Sequence, residues 1–226
     1  IKFPQVKKDY YIYIVTIFIF YMNQKPTIKR ISELNYVITD VLDLSKYPEN
    51  LWDIIMEESK ISNGRSGRKM CRMTDLGMKY TIGGKPFAKK NYTETVKKIQ
   101  HDIEDVLEFS QGYFNTCTMN YYPSGRSGFR AHTDYMRDLE SPMIVTMLTL
   151  GNSMRDMELI NRRTKEKFII SLPHNSLVLM GPGMQRSWLH GIPKASTDTP
   201  ERLSLSFRRQ KVGKSEIQVS SLLTGI

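Results

Sequence analysis

Residues 202–208 read Arg-Leu-Ser-Leu-Ser-Phe-Arg, and this strict alternation of polar and apolar side chains predicts a β-strand with two unlike faces. The apolar face is expected to pack into a core; it carries Leu203, Leu205 and Phe207. The other face begins with Arg202 and ends with Arg208. Two guanidinium groups on a half-buried strand require anions, and a small dicarboxylate would supply one to each. An exposed edge strand in a lysine- and arginine-rich protein is the alternative.

Short strand-like runs dominate the chain after residue 113, and turn signals such as Pro123-Ser124-Gly125 separate them. The runs cover 114–122, 143–150, 157–160, 167–172, 176–180 and 202–209. Two amphipathic helices are predicted upstream, one after Asn50 and one after a capping box formed by Asn91 and Glu94. Helices followed by many short strands indicate an α+β chain. We therefore expect a double-stranded β-helix core, a jelly roll of the cupin type, with the N-terminal helices packed on it.

The chain of 226 residues divides into four parts on this pattern. The apolar run from Tyr10 to Met22 is shorter than the ~18 residues that a membrane-spanning helix needs. A fortuitous extension before a start at Met22, a targeting segment and a buried strand all stay open for it. The four parts are a non-native or targeting extension at 1–22, an N-terminal helical region at 23–112, the jelly-roll core at 113–210 and a polar tail at 211–226.

His132-Thr133-Asp134 is a candidate metal-binding motif, because residues two apart on an extended strand point the same way. An imidazole nitrogen and a carboxylate oxygen can then meet one ion. The chain has four histidines, and His190 is the natural third ligand. His174 competes with it, although a turn histidine next to a proline is more often structural. Two histidines and one carboxylate, with the other coordination positions open, suit non-haem Fe(II) oxygen chemistry.

Asn120 and Tyr122 also lie two apart on an alternating run, so we expect both side chains to face the cavity of the metal site. An amide and a phenol can donate hydrogen bonds to a carboxylate. Ordinary sheet packing by Tyr122 is the alternative. The side chains of Arg202 and Arg208 are expected to face the same cavity, and this favours a role for Asn120 and Tyr122 in binding a carboxylate ligand.

The net charge of +10, from 33 Lys and Arg against 23 Asp and Glu, favours a polyanionic partner such as nucleic acid. Several cations cluster in a loop-like stretch, where they are expected to contact phosphate or to form a solvated turn: Lys60, Arg65, Arg68, Lys69 and Arg72. The two cysteines, Cys71 and Cys117, lack the spacing of a metal site. They indicate a reducing compartment and no disulfide framework.

In this order and at these separations, His132-x-Asp134, His190 and Arg202-(x)5-Arg208 resemble the AlkB family of Fe(II)/2-oxoglutarate dioxygenases. The resemblance is strongest to the nucleic-acid demethylase and repair branch, which includes some viral proteins. Asn120-x-Tyr122 lies where that family has a motif that contacts 2-oxoglutarate. Residues 77–84 are similar to its nucleotide-recognition region.

The resemblance implies that His132, Asp134 and His190 hold Fe(II), and that 2-oxoglutarate and O2 take the open positions. It also implies oxidative N-demethylation of alkylated bases in DNA or RNA, with succinate, CO2 and formaldehyde as products. The implied cofactor contacts are Arg202 and Tyr122 at the distal carboxylate, Arg208 and Asn120 nearer the metal, and Ser204. The implied substrate contacts are Tyr80, Ile82, Tyr135, Arg65, Arg68 and Lys69.

Two departures from the family pattern concern the substrate. The acid that repair enzymes carry just after the ligating aspartate is replaced by Tyr135 and Met136, with Asp138 the nearest acid, and the base-stacking aromatic residue is replaced by Ile82. A hydroxylase that acts on protein and a non-catalytic jelly roll that binds nucleic acid therefore stay open. We further expect a monomer without a membrane segment, in the cytoplasm or nucleus, whose target base is flipped or single-stranded.

Overall fold

The computed structural model describes residues 28–32, 35–63 and 65–212, so the interpretations of residues 1–22 and of nearly all of the tail lie outside it. The α-helices within these residues are α1 (Leu51–Ser59), α2 (Glu94–Val106) and α3 (Met184–Ser187). The strands are β1 (Ile28–Ser32), β2 (Asn35–Ile38), β3 (Ser62–Asn63), β4 (Lys69–Thr74), β5 (Tyr80–Ile82), β6 (Lys85–Phe87), β7 (Lys90–Asn91), β8 (Thr116–Tyr122), β9 (Phe129–His132), β10 (Val145–Gly151), β11 (Arg155–Asn161), β12 (Lys167–Leu172), β13 (Ser176–Met180), β14 (Trp188–Ile192) and β15 (Arg202–Arg208). None of the described helices is long and apolar enough to cross a membrane.

The described strands form two sheets and a separate hairpin. The larger, nine-stranded sheet has the order β1-β2-β13-β10-β15-β8-β4-β3, with β7 beside β4. The smaller sheet has the order β12-β11-β14-β9, and β5 pairs with β6. Neighbouring strands are antiparallel, apart from the parallel pair β4 and β7. Two antiparallel sheets with helices against one of them confirm the predicted α+β jelly roll.

Strand β15 lies inside the larger sheet, between β10 and β8, and both of its faces are buried. Its apolar side chains join a cluster that also contains Ile55 of α1 and Ile99 of α2. A second cluster joins Tyr122 and Met147 of the larger sheet to Met157 of the smaller one. The apolar face of β15 therefore packs under the helices, as predicted. The alternative of an exposed edge strand is wrong, because strands pair with β15 on both sides.

Helix α2 buries the predicted apolar stripe, since Val96, Ile99 and Ile103 are all fully buried. Its N-cap is Thr93, whose hydroxyl accepts a hydrogen bond from the backbone N–H of Val96 at 3.2 Å. The predicted cap at Asn91 is wrong, because Asn91 belongs to β7 and pairs with Thr74. Strand pairing holds that residue in an extended conformation two positions before the true cap.

The region at 23–112 contributes strands to the core as well as helices. Strand β2 pairs with β13, and β4 pairs along its length with β8. The stretch 61–72, read from the sequence as a loop, therefore contains β3 and the first part of β4. Its polar residues gave no period-two signal, because one face of β4 lines a polar cavity.

Truncation of Leu205 to alanine is expected to lower the free energy of unfolding by about 2–5 kcal/mol, because this side chain is fully buried between strands and helices. Leu76 is 74% exposed, and Leu76→Ala is expected to change stability by no more than about 0.5 kcal/mol. Urea unfolding followed by tryptophan fluorescence measures both changes. Equal losses in the two variants would contradict the burial of β15.

Candidate active site

His132 and His190 lie side by side on adjacent strands of the smaller sheet. His132 is the last residue of β9, and it pairs directly with His190 of β14. The two ring centroids are 4.5 Å apart. Asp134 follows β9, and the ligand atoms of all three residues lie within 4.8 Å of one another. This is the spacing at which two histidines and one carboxylate can surround a single metal ion, with coordination positions left open.

The hydrogen bonding and burial of the two histidine rings favour the neutral form that binds a metal. His132 Nδ1 lies 3.0 Å from the carbonyl oxygen of Arg130. A carbonyl only accepts, so Nδ1 donates the hydrogen bond and Nε2 is left with its lone pair for a metal. Burial lowers the pKa of His132, and burial lowers the pKa of His190 to about 4. Both imidazoles are therefore uncharged at neutral pH, as metal binding requires.

Asp134 is held in place as an ionised carboxylate. Burial raises its pKa, but the charge of Arg208 and the hydrogen bonds that it donates outweigh burial and bring the pKa to about 2. Arg208 donates from Nε to Oδ2 at 3.0 Å and from Nη2 to Oδ1 at 3.1 Å, a bidentate pair that fixes the plane of the carboxylate. The backbone N–H of Asp134 donates to Gln185 Oε1 at 2.8 Å. Arg208 thus lies at the metal end of the site, and Gln185 is a neighbour that the sequence did not indicate.

Buried polar groups on β8 and β15 lack partners among the described residues. Arg202 pairs in register with Tyr122, and Ser204 with Asn120. Arg202 is fully buried, and its Nη2 donates to Thr149 Oγ1 at 2.9 Å. Four buried atoms of these residues have no hydrogen-bond partner within the described part of the chain: Arg202 Nε, Arg202 Nη1, Ser204 Oγ and Asn120 Oδ1. Buried polar atoms are nearly always paired in folded proteins, so this group of residues fits a bound carboxylate ligand such as 2-oxoglutarate.

Arg155 is a second buried guanidinium beside this group, and the sequence analysis missed it. It donates from Nη2 to the carbonyl oxygens of Ser127 at 2.9 Å and Pro193 at 2.7 Å. Arg155 lies 5.8 Å and Arg202 lies 5.2 Å from the ring centroid of Tyr122. Burial lowers the pKa of Arg202 to about 10, which still leaves it charged at neutral pH. Two buried cations with neutral hydrogen-bond partners create a positive potential that favours a dicarboxylate.

A signal for Arg155 was present in the sequence. On the alternating strand β11, Arg155 shares its buried face with Met157 and Leu159. An arginine among apolar residues on one face of a strand indicates a side chain that either binds a ligand or donates hydrogen bonds to backbone carbonyls inside the fold. By contrast, no periodic pattern marks Gln185, which lies in the one-turn helix α3.

The metal ligands open into a cavity of about 1110 Å³ between the two sheets. It is lined by the three metal ligands, Asn120, Tyr122, Ser204 and Arg208, and by four of the predicted substrate contacts: Tyr80, Ile82, Tyr135 and Arg68. Arg202 does not line it, but packs against Tyr122 and Met147, which do. The structure therefore brings the candidate metal ligands, most of the predicted cofactor contacts and part of the predicted substrate contacts into one space.

The predicted substrate contacts differ in how they are placed. Tyr80 is buried, and its hydroxyl is 2.6 Å from Thr118 Oγ1, whereas Tyr135 is 60% exposed. Arg68 is buried with its guanidinium 3.5 Å from the ring centroid of Phe129, so it supports the cavity wall. Lys69 is exposed on β4 outside the cavity lining. The side chain of Arg65 lies outside the described part of the structure.

Two further residues line the cavity: Phe87 of β6, which the sequence did not indicate, and Arg72 of β4, which was expected only as one cation of a phosphate-contacting cluster. His174, the alternative third ligand, does not line this cavity, and its Nδ1 accepts a hydrogen bond from the backbone N–H of Gly151 at 3.1 Å. It therefore has the structural role expected of a turn histidine.

A family model described as the 2OG-Fe(II) oxygenase superfamily matches residues 31–208. The chain belongs to this superfamily. Family membership implies Fe(II) and 2-oxoglutarate as cofactors, in agreement with the His132, Asp134 and His190 cluster.

Two curated relatives are similar to the chain over 150 residues. The "DNA oxidative demethylase ALKBH2" of Mus musculus is 26% identical, with 63% of this chain and 61% of the relative covered. The protein of the same name from Homo sapiens is 24% identical, with 63% and 56% covered. The chain thus spans about three fifths of the length of the curated relatives it matches.

The solved structure of OsALKBH1 has the same fold. It superimposes with a TM-score of 0.59 at 16% identity and covers 81% of this chain and 100% of the other. The superfamily match and the similarity to the curated relatives confirm the predicted resemblance to AlkB-like oxygenases, and the solved structure shows the shared fold.

Removal of His190 is expected to abolish tight binding of a divalent metal, because two of the three ligands cannot close the site. Binding of Fe(II) or Co(II) without oxygen, measured by calorimetry, should be lost in His190→Ala and kept in His174→Ala. Circular dichroism checks that both variants are folded. The opposite pattern, with loss in His174→Ala alone, would show that the third ligand was misassigned.

Removal of Arg202 is expected to weaken binding of 2-oxoglutarate by about 10- to 100-fold, since a hydrogen bond to a charged group contributes roughly 1.5–3 kcal/mol. The half-saturating concentration of 2-oxoglutarate for succinate formation, at saturating metal, measures the effect in Arg202→Met. Arg163→Met removes an exposed arginine and serves as the control. An unchanged half-saturating concentration in Arg202→Met would remove Arg202 from the cofactor site.

Proposed function

We propose that the chain removes N-methyl groups from alkylated bases in DNA or RNA by oxidation. The observation that carries this proposal is the continuous cavity from the three metal ligands to a mouth with the exposed aromatic side chains of Tyr135 and Phe87. The curated relatives named DNA oxidative demethylases support it. Fe(II) with 2-oxoglutarate and O2 would supply the oxidant, and an N-methyl group would leave as formaldehyde while 2-oxoglutarate becomes succinate and CO2.

The residues of the chain have separate roles in this reaction. His132, Asp134 and His190 would hold the metal, and all three line the cavity that a substrate would enter. Arg208 fixes the carboxylate of Asp134 and keeps it ionised. Arg202, with Arg155 near the same Tyr122 ring, would attract the distal carboxylate of 2-oxoglutarate. Ser204 and Asn120 line the cavity with unpaired polar atoms that would be available to the same ligand.

A nucleic-acid substrate suits the mouth of the cavity. A methyl group on a base edge inside a duplex is out of reach, so the base must be flipped out or single-stranded. Tyr135 and Phe87, 60% and 42% exposed, provide ring faces on which a base can stack. The net charge of +10 and exposed cations such as Lys69 attract the phosphate backbone. We propose that the protein acts on this substrate as a monomer in the cytoplasm or nucleus.

Methylated single-stranded oligonucleotides are expected to release formaldehyde in the presence of Fe(II), 2-oxoglutarate and O2, and methylated peptides are not. Tyr135→Ala should lower kcat/KM for the oligonucleotide by about 5- to 100-fold, because one stacked base contributes about 1–3 kcal/mol. Phe168→Ala removes a 39%-exposed aromatic side chain on β12, outside the cavity lining, and is the control.

Formaldehyde release from peptides alone would replace this proposal with a protein hydroxylase. Absence of succinate formation in the iron-loaded protein with every substrate would instead indicate a binding protein without turnover.

A further inference from the structure

Two acidic residues, Asp134 and Asp138, are found among the described residues that line the cavity, and both are engaged. Asp134 is paired with Arg208 beside the metal site. Asp138 accepts hydrogen bonds from the backbone N–H groups of Gly83 and Gly84, the latter at 2.9 Å. These glycines form the turn between β5 and β6, and both have positive φ angles. The carboxylate of Asp138 therefore holds the hairpin against the core and is not free to contact a base.

Arg72 is the opposite case, a cation in the cavity without an acidic partner. It lies on β4 opposite Thr118 of β8, on the face that lines the cavity. Its guanidinium carbon is 4.9 Å from the ring centroid of Phe87 and 5.7 Å from that of Tyr80. Its Nη2 has only the sulfur of Met70 at 3.6 Å, and within the described part of the chain no ion pair includes it and its Nε has no hydrogen-bond partner. The aromatic rings thus hold a guanidinium whose donors remain available to a ligand.

The charges that line the cavity favour a neutral substrate. Three arginines, Arg68, Arg72 and Arg208, line the cavity together with the two engaged aspartates, so the cationic side chains outnumber the anionic ones. A divalent metal ion and a dicarboxylate would cancel each other, so the positive excess persists in the loaded enzyme. A cationic base would meet this excess without a free carboxylate to offset it. A neutral base with a carbonyl oxygen would instead accept a hydrogen bond from Arg72.

We propose that the cavity selects neutral alkylated bases that carry a carbonyl oxygen at the reading edge, such as 3-methylthymine, over cationic ones such as 3-methylcytosine, and that Arg72 determines this preference. The inference rests on the proposed function and names its substrate class. A base contact fits Arg72 better than a phosphate contact, because Tyr80 and Phe87 hold its side chain at the cavity wall, whereas Lys69 is exposed outside it.

Two single-stranded oligonucleotides of one sequence, with a single 3-methylthymine or 3-methylcytosine, test the inference. Both bases carry a methyl group on N3; they differ in charge, at position 4, where thymine has a carbonyl oxygen and cytosine an amino group, and in the 5-methyl group of thymine. The wild-type protein is expected to show about tenfold or higher kcat/KM for formaldehyde release from 3-methylthymine, the discrimination that a good arginine–base contact gives. Equilibrium binding with oxygen excluded, followed by fluorescence anisotropy, should show the same preference.

Arg72→Met removes the charge and keeps an apolar side chain against the rings, and it is expected to bring the ratio of the two kcat/KM values close to one. Arg72→Lys keeps the charge without the planar fork, so it should still disfavour 3-methylcytosine while losing part of the preference for 3-methylthymine. Arg163→Met, which removes an exposed arginine outside the cavity lining, should keep the wild-type ratio.

A wild-type preference for 3-methylcytosine, or equal binding of the two oligonucleotides, would overturn the inference and leave the proposed demethylation intact. Equal loss on both substrates in Arg72→Met, with a slope of log affinity against log salt flatter by about 0.7, would make Arg72 a phosphate contact and also overturn it. If neither oligonucleotide released formaldehyde, the proposed function itself would fail, and the anisotropy measurement would still decide whether the cavity prefers the neutral base.

Discussion

The site depends on one strand, β15, whose two faces belong to two different environments. Its apolar face packs under α1 and α2, and its polar face turns toward the space between the sheets. Because β10 and β8 pair with it on both sides, its register is fixed along its whole length. Arg202 and Arg208 are therefore held at opposite ends of one strand. A slip of one residue would exchange the faces and bury the guanidiniums under the helices, so folding and site geometry depend on the same pairing.

The electrostatics of the site follow from this placement. Arg208 has an internal carboxylate partner, Asp134, and stabilises a metal ligand that would otherwise be costly to bury as an anion. Arg202 has no such partner among the described residues, and Arg155 lies nearby with only backbone carbonyls to accept its hydrogen bonds. The polypeptide thus neutralises the cation at the metal end and leaves the positive charge at the other end for a ligand. This difference distinguishes Arg208, which positions a carboxylate, from Arg202, for which cofactor binding is proposed.

Sequence patterns predicted the parts of the molecule that strand periodicity controls. The alternation at 202–208, the two-residue spacing of His132 and Asp134 and the apolar stripe of α2 each follow from a local repeat. The sequence predicted His190 as a third ligand but did not predict that His190 pairs directly with His132, because no local pattern encodes which distant strands become neighbours. Strand β4 was missed for a related reason: its cavity face carries Met70 and Arg72, so the polar-apolar alternation of a strand with one face in solvent is absent.

The substrate end was the least predictable because side-chain contacts across the fold, and not strand repeats, decide what each residue does there. Tyr80 reads from the sequence as a stacking residue, yet its hydroxyl is engaged by Thr118 within the wall. Arg68 reads as a phosphate contact, yet it covers Phe129, whose ring lies 4.1 Å from that of His132. Asp138 reads as the nearest replacement for a base-contacting acid, yet two backbone amides use its carboxylate. Each of these residues supports the cavity wall, so under the proposed function the substrate would be selected by groups that are not engaged in the wall, namely Arg72 and the aromatic side chains at the mouth.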